Sequence, residues 1–241
     1  PYFSGLGYTI DPDRCTGCGI CADHCRFEAI FPVGEKFRID EPLCERCGLC
    51  RDLCREGSIV AEEQRGGTLF LSRLSGGGVM SHAELIPGED TSGKLVSAVR
   101  KQGQTAGREQ GVTRMVIDGP PGIGCPVIAS LSGVRLAVAV IESGRSGIAD
   151  GRRLLELLGK MKIRTVALIN KIGLDSKMDD EARRLVGEFE APLLGEIPFD
   201  PRLRRSTERG EGWVDSSDPW VADLSRAMTE TIIQTARSLS R

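Results

Sequence analysis

The sequence predicts an α/β fold with a parallel sheet, together with a small α+β module near its beginning. The module is indicated by cysteine, because eight of the nine cysteines lie between residues 15 and 54. The sheet is indicated by apolar runs of strand length that alternate with helical periods, as in parallel strands joined by right-handed crossovers. The 241 residues are enough for two domains, and the formal net charge of −2 shows no basic surplus of the kind that binds nucleic acid.

The cysteines form two runs with the spacing C-x2-C-x2-C-x3-C. In chain order they are Cys15, Cys18, Cys21 and Cys25, followed by Cys44, Cys47, Cys50 and Cys54. This is the spacing of bacterial ferredoxins that carry two [4Fe–4S] clusters. The second run repeats the first at an offset of 29 residues, and Gly19 and Gly48 are among the matching positions. The repeat predicts two copies of one supersecondary unit packed about a pseudo-twofold axis.

The fourth cysteine of each run starts a helical turn that leads away from its own loop, and in two-cluster ferredoxins it binds the other cluster. The sequence therefore predicts one cluster on Cys15, Cys18, Cys21 and Cys54, and a second on Cys44, Cys47, Cys50 and Cys25. Disulfides are the first alternative, but they suit short secreted domains and no signal peptide is evident. Zinc is the second, but it prefers separated C-x2-C pairs.

One position departs from the usual ferredoxin pattern. Proline commonly follows the fourth cysteine, whereas Arg26 and Arg55 stand there in this chain. Two cations beside anionic clusters would raise the reduction potentials. Two solvated surface arginines are an equally good interpretation.

The predicted elements of the module frame the two runs. Residues 8–10 and 36–39 are expected to be strands that lead into the runs, and residues 29–31 and 58–61 strands that leave them. The module is predicted to cover residues 8–63. It is too small for a large apolar core, so bound clusters are expected to supply much of its folding energy.

From Gly66 onward cysteine almost disappears, and residues 64–241 are predicted to form the second domain. Strands are expected at residues 68–74 and 79–86 around the glycines 76–78, then at 113–117, 135–141, 165–170 and 192–197. Helices are expected at residues 92–110, 126–131, 147–161, 179–190 and 219–239. The final helix mixes acidic and basic residues on its polar face, which favours packing on the sheet over lying on a membrane.

Three motifs of the second region follow predicted strands, where open α/β sheets bind ligands. The first, VIDGPPGIG, ends a strand at Asp118, like a Walker B aspartate that holds the Mg2+ water shell, and continues into a stiff turn that contains Gly122. The second, LINKIGLD, contains Asn170, whose amide can face a nucleobase. The third is GEIPFDPRL. Each is weak alone, since a strand followed by an N-capping aspartate is common.

Taken together with the cysteine runs, these motifs resemble the MinD-superfamily P-loop ATPases that contain an inserted two-cluster ferredoxin domain. The resemblance covers most of residues 8–210. It implies a SIMIBI-type parallel-sheet fold, binding of ATP and Mg2+, dimerisation over nucleotide, and a cytoplasmic location. It also implies that Asp118 serves the Mg2+ site, Gly122 the switch turn and Asn170 the adenine.

One element of that family is missing from the printed chain. Its phosphate-binding loop precedes the ferredoxin insert, but no G-x4-G-K-[ST] pattern occurs in the 241 residues. The loop supplies the backbone N–H groups and the lysine that hold the phosphates. We therefore expect this sequence to be the C-terminal part of such a protein, with an incomplete P-loop fold. The intact parent is expected to be an ATPase. The 241-residue chain is expected to lack ATPase activity.

Three functions are compatible with these features. The chain could be a nucleotide-gated electron donor to an acceptor protein, a cluster carrier or assembly factor, or an electron carrier whose nucleotide-binding half only docks partners. Complete ligation by eight cysteines favours redox clusters, because transferable clusters usually have incomplete or shared ligation. No apolar run approaches the length of a membrane span. Cys125, the ninth cysteine, is expected to be a packing residue, with a redox thiol as the alternative.

Overall fold

The computed structural model describes residues 1–74 and 77–238. Gly76 of the expected glycine turn and Leu239 of the expected final helix lie outside these residues. The chain divides into two compact units, Pro1–Asp118 and Gly119–Arg241. The domain boundary at residues 63 and 64 lies inside a strand of the first unit and remains a prediction.

The first unit is built on an antiparallel sheet. Its strands are β1 (Tyr2–Ile10), β4 (Ile59–Arg73) and β5 (Val79–Leu85), in the order β1-β4-β5. Strands β2 (Ile30–Val33) and β3 (Lys36–Ile39) form a separate antiparallel hairpin. The helices are α1 (Ile20–Asp23), α2 (Leu49–Leu53) and α3 (Gly93–Glu109). The strands predicted around both cysteine runs are therefore confirmed.

Strand β4 is longer than the sequence predicts. Its residues 59–67 pair with β1 and its residues 67–73 pair with β5, so the strands expected at 58–61 and 68–74 are one continuous element. The change of composition at Gly66 predicted a new domain there, but β4 runs through this position. Gly67, within β4, has a packing role. A Cβ atom at Gly67 would lie 2.3 Å from the carbonyl oxygen of Glu84 on β5.

Helix α3 confirms the helix predicted at residues 92–110. Ser92 caps it, because its hydroxyl accepts a hydrogen bond of 3.1 Å from the amide of Leu95. The Ser81 hydroxyl of β5 donates to the carbonyl of Val99 at 2.8 Å, which ties the helix to the sheet. The helix thus belongs to the first unit.

The second unit is the predicted α/β part. Strands β6 (Ala137–Glu142), β7 (Thr165–Ile172) and β8 (Leu193–Pro198) form a parallel sheet in the order β6-β7-β8. Its helices are α4 (Cys125–Leu131), α5 (Arg145–Lys160), α6 (Ser176–Glu188), α7 (Pro201–Glu208) and α8 (Pro219–Ser238), with a 3-10 turn at Trp213–Asp215. The α/β fold with a parallel sheet is confirmed.

Both faces of this sheet are covered, as its apolar strands predict. On one face Ile169 of β7 packs in a core with residues of α5 and α6, including Leu158 and Leu185. On the other face Leu168 packs with Leu203 of α7 and with residues of α8. Alternate residues of β7 therefore point to two different cores, which is the two-residue period of a strand.

The strand expected at residues 113–117 is wrong. No part of residues 110–118 is a strand, and the side chain of Val116 is 96% exposed. The run is apolar and β-branched, which is why it suggests a strand. A strand also needs a hydrogen-bonded neighbour, and no described strand pairs with this run. Asp118 consequently follows an unpaired segment rather than closing a sheet strand.

Two elements of the second unit were not predicted, namely α7 and the 3-10 turn. Helix α7 begins after Asp200, whose carboxylate accepts from the amide of Arg202 at 2.8 Å. The motif GEIPFDPRL thus contains the end of β8, the capping Asp200 and the first residues of α7. Within residues 1–74 and 77–238, no helix has the length and apolar character that crossing a membrane requires.

Candidate iron–sulfur site

Each cysteine run forms a loop that closes into one helical turn. The Cys15 amide donates to the carbonyl of Asp11 at 3.0 Å, and each loop ends at a glycine that precedes α1 or α2. Gly19 and Gly48 have φ of 76° and 81°, in the left-handed region that favours glycine. Because a Cβ at Gly48 would lie 2.7 Å from the Tyr8 hydroxyl oxygen, this position also needs glycine for space.

The cysteines line two separate cavities. The first cavity has a volume of about 210 Å3, and the cysteines on its wall are Cys15, Cys18, Cys21 and Cys54. The second has a volume of about 40 Å3, and the cysteines on its wall are Cys21, Cys25, Cys44, Cys47 and Cys50. The fourth cysteine of each run thus lies with the first three of the other run. Cys21 borders both cavities.

The aromatic walls of the cavities follow the same repeat. Phe37 lines the first cavity and Tyr8 the second, and these residues are separated by the repeat offset of 29 positions. Beneath them Ile30, Ile39 and Ile59 form a small buried core against which five of the cysteines pack. These aromatics were not among the site residues predicted from sequence, although each stands two residues before a matching isoleucine.

None of the nine cysteines forms a disulfide in the structure. Across residues 1–74 and 77–238, no three His, Cys, Asp or Glu side chains converge closely enough to hold a single metal ion. The thiols instead surround two cavities. Four thiols around a cavity are the donor set of a [4Fe–4S] cluster, so the residues present fit that group.

The thiols differ in their surroundings. Burial raises the pKa of the Cys21 thiol, and it raises the pKa of Cys50 to about 11. For Cys54, burial acts to raise the pKa but hydrogen bonds outweigh it and lower the pKa below its ordinary value. The Ser58 hydroxyl lies 3.1 Å from the Cys54 sulfur, and the Ser58 amide donates to the same sulfur at 3.4 Å. Ser58 is therefore a sulfur-binding residue that the sequence analysis missed.

Charged side chains also border the cavities. Arg26 lines the second cavity and Arg55 the first, so both arginines that follow a fourth cysteine lie at a candidate cluster. Arg46 lines the second cavity as well, and its guanidinium pairs with Glu89 at 2.6 Å. The Lys36 ammonium donates to the carbonyl of Cys15. Arg46 was not among the residues predicted from sequence. It stands in the second run at the position that corresponds to Gly17 in the first, so the repeat is broken there.

The residues proposed for the nucleotide lie outside this region. Asp118 is exposed at the end of the first unit. Gly122 has φ of 91°, as a sharp turn in the second unit requires. Asn170 lies in β7, and its side-chain oxygen accepts from the amide of Lys171 at 2.9 Å. The roles of these three residues remain predictions.

The first cysteine run matches a family model. Residues 8–31 match the model for the 4Fe-4S binding domain. The match contains Cys15, Cys18, Cys21 and Cys25, the first of the two runs. The chain therefore has an iron–sulfur-binding motif of the kind that its cysteine spacing predicts.

A longer relative covers most of the chain. An uncharacterized protein of Methanocaldococcus jannaschii is 34% identical over 193 residues, which are 80% of this chain and 62% of that protein. The chain thus spans 62% of the length of this curated relative.

Solved MinD structures are similar to this chain. The Pyrococcus furiosus cell division ATPase MinD aligns at 20% identity with a TM-score of 0.48, over 60% of this chain and 59% of its own. MinD of Aquifex aeolicus aligns at 23% identity with a TM-score of 0.48, over 69% and 68% of the two chains. A MinC:MinD complex of A. aeolicus aligns at 21% identity with a TM-score of 0.46, over 69% and 66%.

The matched region and the coordinates agree on where the iron–sulfur motif lies, since β1, α1 and β2 of the structure span it. The chain therefore carries a 4Fe-4S binding motif in its first unit and a parallel sheet flanked by helices in its second.

Proposed function

We propose that the chain binds two [4Fe–4S] clusters and transfers electrons through them. The grouping of the cysteines supports this proposal, because the fourth cysteine of each run lies at the cavity of the other run. Cys15, Cys18, Cys21 and Cys54 would hold one cluster, and Cys44, Cys47, Cys50 and Cys25 the other. When bound, such a cluster supplies one-electron redox chemistry.

The protein's own part in this function is to hold and shield the clusters. The cysteines bind as thiolates, and the amide and hydroxyl of Ser58 donate to the sulfur of Cys54. Hydrogen bonds to cluster sulfurs tune the potential. Tyr8 and Phe37 place an aromatic wall beside each cavity and reduce access of water.

Iron and sulfide analysis tests the proposal directly. Anaerobically reconstituted protein should contain about eight irons and about eight acid-labile sulfides per chain, with broad charge-transfer absorption in the visible range. Colourless protein with zinc and no acid-labile sulfide would contradict it. A single cluster with about four irons would leave iron–sulfur binding in place but exclude the second site.

We propose further that the intact protein is a MinD-like ATPase that couples nucleotide binding to its clusters. The motif order supports this, with Asp118 serving Mg2+, Gly122 the switch turn and Asn170 the adenine. The proposal includes a nucleotide-dependent homodimer, a cytoplasmic location and a protein partner that accepts or donates electrons. A cluster carrier is the alternative, and it would release its iron and sulfide to an apo-acceptor.

A thermal-shift measurement checks the nucleotide half. The printed chain should show no rise in melting temperature with Mg-ATP, because no phosphate-binding loop is present to supply stabilisation by ligand binding. Addition of an N-terminal segment that carries such a loop should produce a saturable rise. In that longer protein Asp118→Ala should weaken the Mg2+ dependence. A saturable shift in the printed chain would mean that another segment binds the phosphates.

A further inference from the structure

We propose that Arg46, held in place by Glu89, raises the reduction potential of the cluster on Cys25, Cys44, Cys47 and Cys50. The potential of the other cluster does not depend on Arg46 to the same extent. The inference rests on the proposed function, since it needs two clusters. It concerns residues that neither the cysteine spacing nor the family match includes. It makes the two halves of the repeat electrostatically different.

The first support is a break in the repeat. Position 46 corresponds to position 17 at the offset of 29, and both backbones are left-handed, with φ of 54° at Arg46 and 74° at Gly17. Glycine suits such a backbone, whereas an arginine there is uncommon. At Gly17 no side chain fits, because a Cβ would lie 2.1 Å from the carbonyl oxygen of Glu35. The second run therefore carries a side chain, in an unfavourable conformation, where the first run cannot.

The second support is the way in which Arg46 is held. Its Nη2 atom lies 2.6 Å from Oε1 of Glu89, and its Nη1 atom donates to the Ser4 hydroxyl at 3.0 Å. The side chains of Arg46 and Glu89 are only 26% and 11% exposed. Gly66 leaves the space for this arrangement, since a Cβ there would lie 2.6 Å from Cβ of Ser4 and 3.2 Å from Oε2 of Glu89. The guanidinium is thus fixed and partly shielded from water.

The third support comes from the other charges around the cavities. Each cavity is lined by the arginine that follows a fourth cysteine and by one glutamate, Glu45 at the second and Glu56 at the first. These charges match between the two sites. Arg46 is an additional cation at the second cavity. His24 also lines this cavity, and its ring is hydrogen-bonded to the Ile20 carbonyl.

A different cation contacts the backbone of the first run. The Lys36 ammonium donates to the carbonyl of Cys15, and the corresponding position in the first half of the repeat is Gly7. Each cluster would therefore have one cation that the other lacks. This arrangement provides a matched control, because changes at Arg46 and at Lys36 should act on different clusters.

The sign of each effect follows from charge. Reduction adds an electron to a cluster, so a nearby cation favours the reduced state and raises the potential, and an anion lowers it. Partial shielding from solvent makes these interactions stronger than those between exposed charges. Removal of Arg46 should lower the potential of its cluster. Neutralisation of Glu89 should raise it, because Arg46 then acts unopposed.

The experiment is a redox titration of the full reconstituted chain, followed by EPR, on protein whose iron content has been measured. We expect Arg46→Gly to shift one of the two potentials to a more negative value and Glu89→Gln to shift the same potential to a more positive one. Lys36→Met should lower the other potential. Arg46→Lys keeps the charge and should leave both potentials close to those of the unaltered chain.

The outcomes separate the inference from the function on which it rests. If the unaltered chain lacks about eight irons, the two-cluster proposal fails. Three results with all irons present would overturn the inference. Arg46→Gly and Glu89→Gln could leave both potentials unchanged, or each could shift both potentials equally. The two variants could also shift a single potential in the same direction as each other. Should Arg46→Gly lose iron, Glu89→Gln decides alone, since a merely structural ion pair predicts no positive shift of a single potential.

Discussion

Replacement of Cys25 by serine should remove or weaken the cluster held mainly by the second run, and replacement of Cys54 should do the same to the cluster held mainly by the first. Each variant should retain about four of about eight irons. The reason is the grouping of the thiols, since Cys25 lies at the cavity of Cys44, Cys47 and Cys50, and Cys54 at that of the first run. Iron analysis and EPR of the reduced proteins measure the loss.

Double variants make this test independent of spectral assignment. Cys25→Ser combined with Cys47→Ser should lose no more iron than either single variant, because both changes affect one cluster. Cys25→Ser combined with Cys18→Ser should lose both clusters. The reverse result would mean that each run holds its own cluster. Cys125→Ser is the matched control. Because Cys125 is exposed in the second unit and lines neither cavity, this variant protein should retain all its iron.

Much of the first unit could be predicted from sequence because its signals are local. The cysteine spacing, the glycines before the two short helices and the strands that flank each run all follow from patterns of a few residues. The fusion of two predicted strands into β4 could not be predicted in this way. The continuity of β4 depends on two pairings, with β1 along its first part and with β5 along its second part. The strands β1 and β5 are distant from one another in sequence.

The other features that the sequence did not predict also depend on partners that are distant along the chain. Residues 113–117 have the composition of a strand, but strand formation depends on a neighbour that no local pattern reveals. The charge pair between Arg46 and Glu89 joins positions 43 residues apart. A comparison of the two halves of the repeat would have drawn attention to Arg46, because it replaces a glycine, but its partner is evident only from the fold.

Removal of iron should unfold the cysteine-bearing part of the first unit and leave the second unit folded. The core beneath the cavities contains three buried isoleucines, and the other groups packed against it include Cys21, Cys25, Cys44, Cys50 and Cys54. The second unit has two larger apolar cores that involve none of these cysteines. Where a bound metal group supplies most of the cross-links, its binding free energy is also folding free energy.

Hydrogen exchange before and after anaerobic chelation measures this effect segment by segment. In the iron-free chain the amides of α1, α2 and the β2–β3 hairpin should exchange at rates close to those of an unfolded chain, whereas those of β6, β7 and α5 should keep their protection. Strand β5 and helix α3 should lose less protection than the hairpin. The hydrogen bond from the Ser81 hydroxyl to the Val99 carbonyl joins them, and neither element contains a cysteine. Return of iron and sulfide should restore the protection of the hairpin. Full protection of residues 20–54 without iron would show that the three isoleucines suffice, and that the clusters are bound by a module that is already folded.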